Sequence, residues 1–164
     1  MRKRRNIPDV GEGKRGEDGH LGYLLRQAAQ VYRNRADRAL SDLGITPPQF
    51  SVLTMLAAYP GRSGADIARL AMLTPQTVSV IIGNLEKRGA ILRRPHPVHG
   101  RIQTIELTGE GRALLTAARA RMQRLEEELT ANVSAGDEAA VRRWLVGVAV
   151  VAGADDDGED PPRA

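Results

Sequence analysis

The chain contains no cysteine. That excludes a disulfide framework, a zinc site built on thiolates and a sensor that works by thiol oxidation. Aromatic residues make up only 3% of the chain, so leucine, valine, isoleucine and alanine must supply the core. Long apolar runs are missing too: the longest, at 144–152, is far shorter than the roughly 20 residues that a membrane-spanning helix needs. The opening segment MRKRRNIPDVGEGKRGEDGH starts basic but has no apolar h-region. It is not a secretory signal, and a soluble cytoplasmic protein is the expectation. Histidine is limited to His20, His96 and His99. The last two stand three positions apart in a loop with no cysteine or carboxylate to complete a metal set, so neither metal nor cofactor is expected. No glycine-rich phosphate loop follows a strand and no nucleophile elbow occurs, which speaks against an enzyme.

What the chain has is length for one cored domain with tails, 164 residues, and an uneven distribution of charge. The formal net charge is only +4, yet the pI is about 9.9. Residues 1–20 carry six basic and four acidic side chains, and residues 153–164 carry five acidic and one basic. The stretch between holds seventeen basic against eleven acidic. Lys87, Arg88, Arg93, Arg94 and Arg101 concentrate positive charge in one segment, where Glu86 is the one acid. Such a surface points to a polyanion as partner. Both ends lack periodicity and read as disordered: a basic, glycine-rich tail at 1–20 and an acidic tail at 153–164.

Between the tails the apolar spacing is mostly helical. Leu21, Leu24, Leu25, Ala28, Tyr32, Ala36, Ala39, Leu40 and Leu43 fall close to one stripe, with Gly44 as a natural stop. Thr46-Pro47-Pro48-Gln49 reads as a cap, a proline at the first helical position and a glutamine reaching back, opening a helix to about Tyr59. Ser63-Gly64-Ala65-Asp66 is a second capping box and opens a short helix. After the break Ala71-Met72-Leu73, Thr74-Pro75-Gln76-Thr77 opens the next, which Gly89 closes. Two short helices joined by a tight turn form a helix-turn-helix pattern.

The second of those helices has two unlike faces. Val78, Ile81, Ile82 and Leu85 share one side at i, i+3, i+4 and i+7. Gln76, Thr77, Val80, Gly83, Asn84 and Lys87 lie opposite and are small, polar or basic. That face suits a major groove: Gln76, Thr77 and Asn84 can exchange hydrogen bonds with base edges, and Val80 can touch a thymine methyl. The helix N-terminus offers N–H groups to phosphate. The period then changes from helical to alternating, with Ala90-Ile91-Leu92-Arg93-Arg94, the loop PHPVHG, and Arg101-Ile102-Gln103-Thr104-Ile105-Glu106-Leu107 forming a hairpin. A hairpin flanked by arginines directly after a recognition helix is a wing, its tip directed at the neighbouring minor groove or backbone. Thr108-Gly109-Glu110-Gly111 caps a long helix to about Asn132 that carries Leu114, Leu115, Ala118, Met122, Leu125 and Leu129. A last helix follows Ser134, with Val141, Leu145, Val148 and Val151 on one side. These stripes exceed what a small winged lobe can cover, so a second copy of the chain is the expected partner.

The order of elements, together with TPPQFSVLTML, DIARLAMLTPQTVSVIIGNLEKRGAILRR and HGRIQTIELTGEGRALL, resembles the multiple-antibiotic-resistance regulator (MarR) family over about 21–152. The run L-T-x-x-G just after a wing arginine is the most specific part. The resemblance implies a mainly helical fold with a small β-hairpin wing. In it a winged helix-turn-helix lobe at 46–108 joins dimerisation helices at 21–45 and 109–152. It implies a homodimeric DNA-binding regulator acting on a pseudo-palindromic operator, a repressor relieved by a small ligand. The candidate DNA-binding residues are Thr74, Gln76, Thr77, Ser79, Val80, Asn84, Lys87, Arg93, Arg94 and Arg101. Tyr23, Tyr32, Phe50, Met55, Tyr59 and Trp144 are candidates to line a ligand cleft. Two departures stand out. The Asp-Arg-Arg common at the family's wing tip is here His99-Gly100-Arg101, and the recognition-helix arginines often found at the positions of Val80 and Asn84 are absent. The alternative is a winged-helix module for protein–protein assembly. It would be expected to show an apolar or acidic groove face instead of the polar and basic one present.

Overall fold

The local chemistry at each helix end sets where the helices begin and stop. The computed structural model describes residues 7–95 and 103–156, with side chains as far as residue 150. Helix α1 (Leu21–Leu40) runs into a single 3-10 turn, Ser41–Leu43, and stops at Gly44, whose φ of 62° is left-handed. Helix α2 (Pro47–Ala58) starts on a capping box: Gln49 Oε1 accepts the Thr46 N–H at 2.9 Å while the Thr46 hydroxyl accepts the Gln49 N–H. Helix α3 (Gly64–Leu70) repeats the device, with Ser63 N–H donating to Asp66 Oδ2 and Asp66 N–H to Ser63 Oγ, both at 3.2 Å. The hydroxyl and the amide of Ser63 together hold the Asp66 carboxyl below its ordinary pKa. A depressed carboxylate contributes stability that is present at neutral pH and is lost as pH falls through the lowered pKa.

The turn after α3 is a Schellman motif. Leu73 N–H reaches Ala68 O at 3.0 Å and Met72 N–H reaches Arg69 O at 3.2 Å. That closure puts its middle residue in the left-handed region, and the residue there is Met72, at φ 52° and 78% exposed. Helix α4 (Pro75–Lys87) follows, capped by the Thr74 hydroxyl. Strand β1 (Ile91–Pro95) pairs antiparallel with β2 (Gln103–Leu107), Ile91 opposite Leu107 and Pro95 opposite Gln103. The adjacent residues Thr104 and Ile105 are both buried. Thr104 donates to Arg94 O, and Ile105, its N–H on Arg62 O at 3.1 Å, enters the core.

Helix α5 (Gly109–Thr130) is bolted to the start of the hairpin by the L-T-x-x-G run. The Thr108 hydroxyl donates to Gly89 O at 2.6 Å and accepts the Gly111 N–H at 3.0 Å. Gly111 lies so close to the chain before β1 that a Cβ there would stand 1.9 Å from Ala90 O. Both residues of the motif are thus explained by the close approach of α5 to the hairpin's first strand.

The chain divides into two compact units after Leu125. The first has one core, to which α1 gives Ala36 and Leu40, α2 gives Val52, Leu53 and Leu56, and α3 gives Ile67. Helix α4 adds Val78, Ile81, Ile82 and Leu85, and α5 adds Leu115, Ala118, Met122 and Leu125. The second unit contains the end of α5 and helix α6 (Ala135–Asp156), capped where Ser134 Oγ accepts the Asp137 N–H. Among the described residues of α6 no side chain is buried.

Two expectations from the sequence change here. Residues 7–20, expected as part of a disordered tail, form turns around a 3-10 segment at Gly13–Arg15. Arg15 Nη1 donates to Pro8 O, and Gln27 of α1 donates to Arg15 O, so backbone carbonyls rather than an apolar stripe anchor this segment. Helix α6 also continues to Asp156, into the segment expected as an acidic tail. Residues 1–6 and 157–164 lie outside the described residues.

Two glycine substitutions of opposite sense test this account. Met72→Gly removes a left-handed side chain that packs on little, and should raise stability by roughly 1 kcal/mol, or about 2–4 °C in Tm. Gly111→Ala forces a methyl against a backbone carbonyl and should cost about 3 kcal/mol, at the upper end for overpacking. Thermal unfolding of both variants checks the pair; a destabilised Met72→Gly would show that the methionine side chain contributes packing.

Candidate nucleic-acid interface

Helix α4 carries the candidate interface because its sequence divides cleanly by helical phase. Val78, Ile81, Ile82 and Leu85 are buried. Gln76, Thr77, Ser79, Val80, Asn84 and Lys87 are exposed, Val80 at 61% despite being apolar, and Gly83 between them is half-buried. The exposed face carries amide, hydroxyl, methyl and ammonium groups and no carboxylate among Gln76, Thr77, Val80, Asn84 and Lys87. That set matches the donors, acceptors and methyl groups on base-pair edges.

The N-terminus of α4 is more fully capped than the sequence suggested. Thr74 Oγ1 accepts the Thr77 N–H at 3.1 Å and lies 2.8 Å from the Thr77 hydroxyl. Pro75 has no N–H, so the Gln76 amide is the first-turn donor that this cap does not take up. The helix end offers one amide to an anion, with the Gln76 side chain beside it.

The basic residues after α4 are placed less uniformly than their clustering implied. Arg93 Nε bonds Glu86 Oε2 at 3.0 Å, tying β1 to the end of α4. Arg94 Nε bonds Glu106 Oε2 at 3.0 Å across the strand pair. All four side chains stay 40–61% exposed, so the guanidiniums still face solvent with part of their charge compensated. Arg88 turns back instead: its Nη1 and Nη2 donate to Gly44 O and Leu43 O at 2.9 and 2.7 Å. Lys87 is exposed on the groove-side face of α4. Arg101, His96 and His99 lie outside the described residues.

Sequence reasoning therefore brought together Gln76, Thr77, Ser79, Val80, Asn84 and Lys87 on one exposed helix face, with Thr74 at its cap. It missed the carboxylate partners Glu86 and Glu106, and the bonding of Arg88 to the turn after α1. Helical phase does not show the last: Arg88 is exposed and stands at i+4 from Asn84, and its acceptors belong to another element. Among the described residues there is no cluster of histidine and acidic groups able to hold a metal, and no helix long and apolar enough to cross a membrane.

Of the six side chains proposed for a ligand cleft, three come together. Tyr32, Phe50 and Met55 line a cavity of about 330 Å³ between α1, α2 and α5, with Pro47, Thr54 and Met122. Tyr59 instead borders a smaller cleft with Arg62, Asp66 and Arg69, and Tyr23 bonds Gln27 with the Arg26 guanidinium 5.3 Å from its ring centre. Trp144 lies on α6, in the second unit.

Comparison with known proteins places these features. The family model described as the MarR family matches residues 43–102, a stretch that contains α2, α3, α4 and β1. The HTH-type transcriptional repressor Rv2887 of Mycobacterium tuberculosis is 37% identical over 129 residues, which span 79% of this chain and 93% of the repressor. The crystal structure of Rv2887 in complex with DNA superposes with a TM-score of 0.66 at 36% identity, covering 80% of this chain and 98% of that one. Its complex with salicylic acid superposes with a TM-score of 0.64 at 36% identity over the same shares of the two chains. With a winged helix-turn-helix fold and a repressor this similar along nearly its whole length, the chain belongs to the MarR family of transcriptional regulators.

Proposed function

We propose that this protein is a homodimeric transcriptional repressor that lays α4 in the major groove of a pseudo-palindromic operator and releases it when a small ligand binds. One observation carries the reading: the exposed face of α4, in which Gln76, Thr77, Asn84 and Lys87 surround Val80, opposite four buried aliphatic residues. The repressor Rv2887, similar along most of this chain, has been crystallised with DNA. The base-reading roles belong to Gln76, Thr77 and Asn84, with Val80 on thymine methyls. Ser79, Thr74, Lys87, Arg93 and Arg94 border the same surface, and Arg101 is assigned to the minor groove beyond it. The assembly-module alternative fits less well, because the exposed face of α4 is polar and basic.

Dimerisation is proposed from α6. Val141, Trp144, Leu145 and Val148 are 41–50% exposed along one helix. Apolar side chains in such a row are stabilised by a second copy related by a two-fold axis. Two recognition helices then sit about one duplex turn apart, reading half-sites ~10 bp centre to centre.

The ligand-responsive part is assigned to the cavity lined by Tyr32, Phe50 and Met55. Its volume, about 330 Å³, is within the range of a site for one small molecule. Its walls come from α1, α2 and α5, so a ligand there acts on the helices that support the DNA-binding lobe. Rv2887 has been crystallised with salicylic acid, a molecule of suitable size.

Selection of bound sequences from random DNA tests the whole reading: an inverted repeat is expected, and recovery of no enriched sequence would contradict it. On the selected site, alanine at Gln76, Thr77 or Asn84 should cost ~1–3 kcal/mol wherever the side chain makes a good base contact, while binding to random DNA barely changes. Competition titrations on both duplexes read this; equal losses on the two would place the groove face elsewhere. Leu145→Asp alters an exposed side chain, so the protomer should stay folded. It should sediment as a monomer at concentrations where the parent is a dimer, and its operator affinity should fall with it.

A further inference from the structure

The basic cluster at the end of α4 contains one residue whose guanidinium is engaged by backbone carbonyls of another element. Arg88 is the C-terminal cap of α4, its own N–H bonded to Asn84 O at 3.2 Å. Its guanidinium spans to the turn between α1 and α2, donating from Nη1 to Gly44 O at 2.9 Å and from Nη2 to Leu43 O at 2.7 Å. Those two carbonyls close the 3-10 turn Ser41–Leu43, where the last acceptors of a helical segment carry partial negative charge and lack partners within the helix. Gly44 makes the site possible: at φ 62° it reverses the chain there. The same turn is held from a second side, where Arg121 of α5 bonds Asp42 at 2.5 Å. The end of α1, the end of α4 and the middle of α5 therefore meet at the short turn that leads into α2, and Arg88 is the member of that junction that belongs to the recognition helix.

We infer that Arg88 is a positioning residue for sequence-specific DNA binding: its two-carbonyl clamp fixes the tilt of α4 against the α1–α2 turn, and it makes no phosphate contact. The argument rests on the DNA-binding reading above. Base-edge hydrogen bonds are short and directional, so a small tilt of α4 weakens several at once. Phosphate contacts by long, flexible side chains tolerate the same tilt. Loss of the clamp should thus act on the cognate complex and leave non-specific binding in place. The planar fork is essential, since two nitrogens reach two successive carbonyls at once; a lysine ammonium is a single donor centre with a different reach.

The experiment compares the parent, Arg88→Ala and Arg88→Lys on the selected operator and on random duplex, over a series of salt concentrations. Thermal unfolding and stoichiometric titration confirm the folded, active fraction of each. The expected result is a loss of about ten-fold in operator affinity for both variants, the size of loss that two weakened hydrogen bonds to a charged donor give. Random-DNA affinity and the slope of log K against log salt should be unchanged. A slope reduced by about one unit would make Arg88 a phosphate contact and overturn the inference. Recovery of parental affinity by lysine would overturn it by showing that charge alone suffices. Unchanged operator binding by Arg88→Ala, or equal losses on both duplexes, would overturn it as well. A parent that bound neither duplex would fail the DNA-binding reading itself, before any variant is compared.

Discussion

Burial of Val78, Ile81, Ile82 and Leu85 is the constraint on which the rest of the molecule depends. These four side chains have no free choice of direction, because moving any of them out of the core exposes aliphatic surface at about 25 cal/mol per Å². Once they point inward, the 3.6-residue period turns Gln76, Val80, Asn84 and Lys87 outward. The exposed polar face is therefore a consequence of the core. Helices α2 and α3 supply the facing wall, and the capping boxes at Thr46 and Ser63 determine where each begins. The Schellman closure at Leu73 delivers the chain directly to the Thr74 cap, with Met72 left-handed.

Charge is organised on a different principle from apolar surface. The segment from Lys87 to Arg94 looks uniformly positive in sequence, yet in the fold its basic residues serve three different ends. Arg93 and Arg94 hold the wing to α4 and to itself through Glu86 and Glu106. Arg88 closes the end of a neighbouring turn. Lys87 projects from the outer face of α4. Partly compensated arginines of this kind still attract a polyanion at long range, since their partners are exposed and screened by solvent. Their nearer effect is mechanical: they hold the wing and the recognition helix as one body.

Most of the architecture was legible because local signals and long-range pattern agreed. Thr-Pro at the start of α2 and α4, Ser-x-x-Asp at α3, and the switch from helical to alternating period after Gly89 each identified an element that the fold contains. The L-T-x-x-G run was legible as a motif but not as a mechanism. That Gly111 must lack a Cβ because Ala90 O occupies the space follows only from residues twenty-one apart meeting in three dimensions. The pairing of Arg94 with Glu106 likewise needs the strand register, which places Leu92 opposite Glu106 and Arg94 opposite Thr104. The turns at 7–20 escaped detection because backbone carbonyls anchor them, and hydropathy does not report those. Among the candidate site residues on α4, helical phase was enough to tell which side of the helix each lies on. It failed for the arginines beyond, whose direction depends on partners from other elements.

The claim that joins fold to function is that the outer face of α4 enters the major groove twice, on opposite halves of one site. Methylation interference with dimethyl sulfate reads this directly, because the reagent modifies guanine N7 in the major groove and adenine N3 in the minor groove. Two symmetric patches of interfering guanines, their centres ~10 bp apart, are the result that two such helices produce. A single patch, or interference confined to adenine N3, would contradict it.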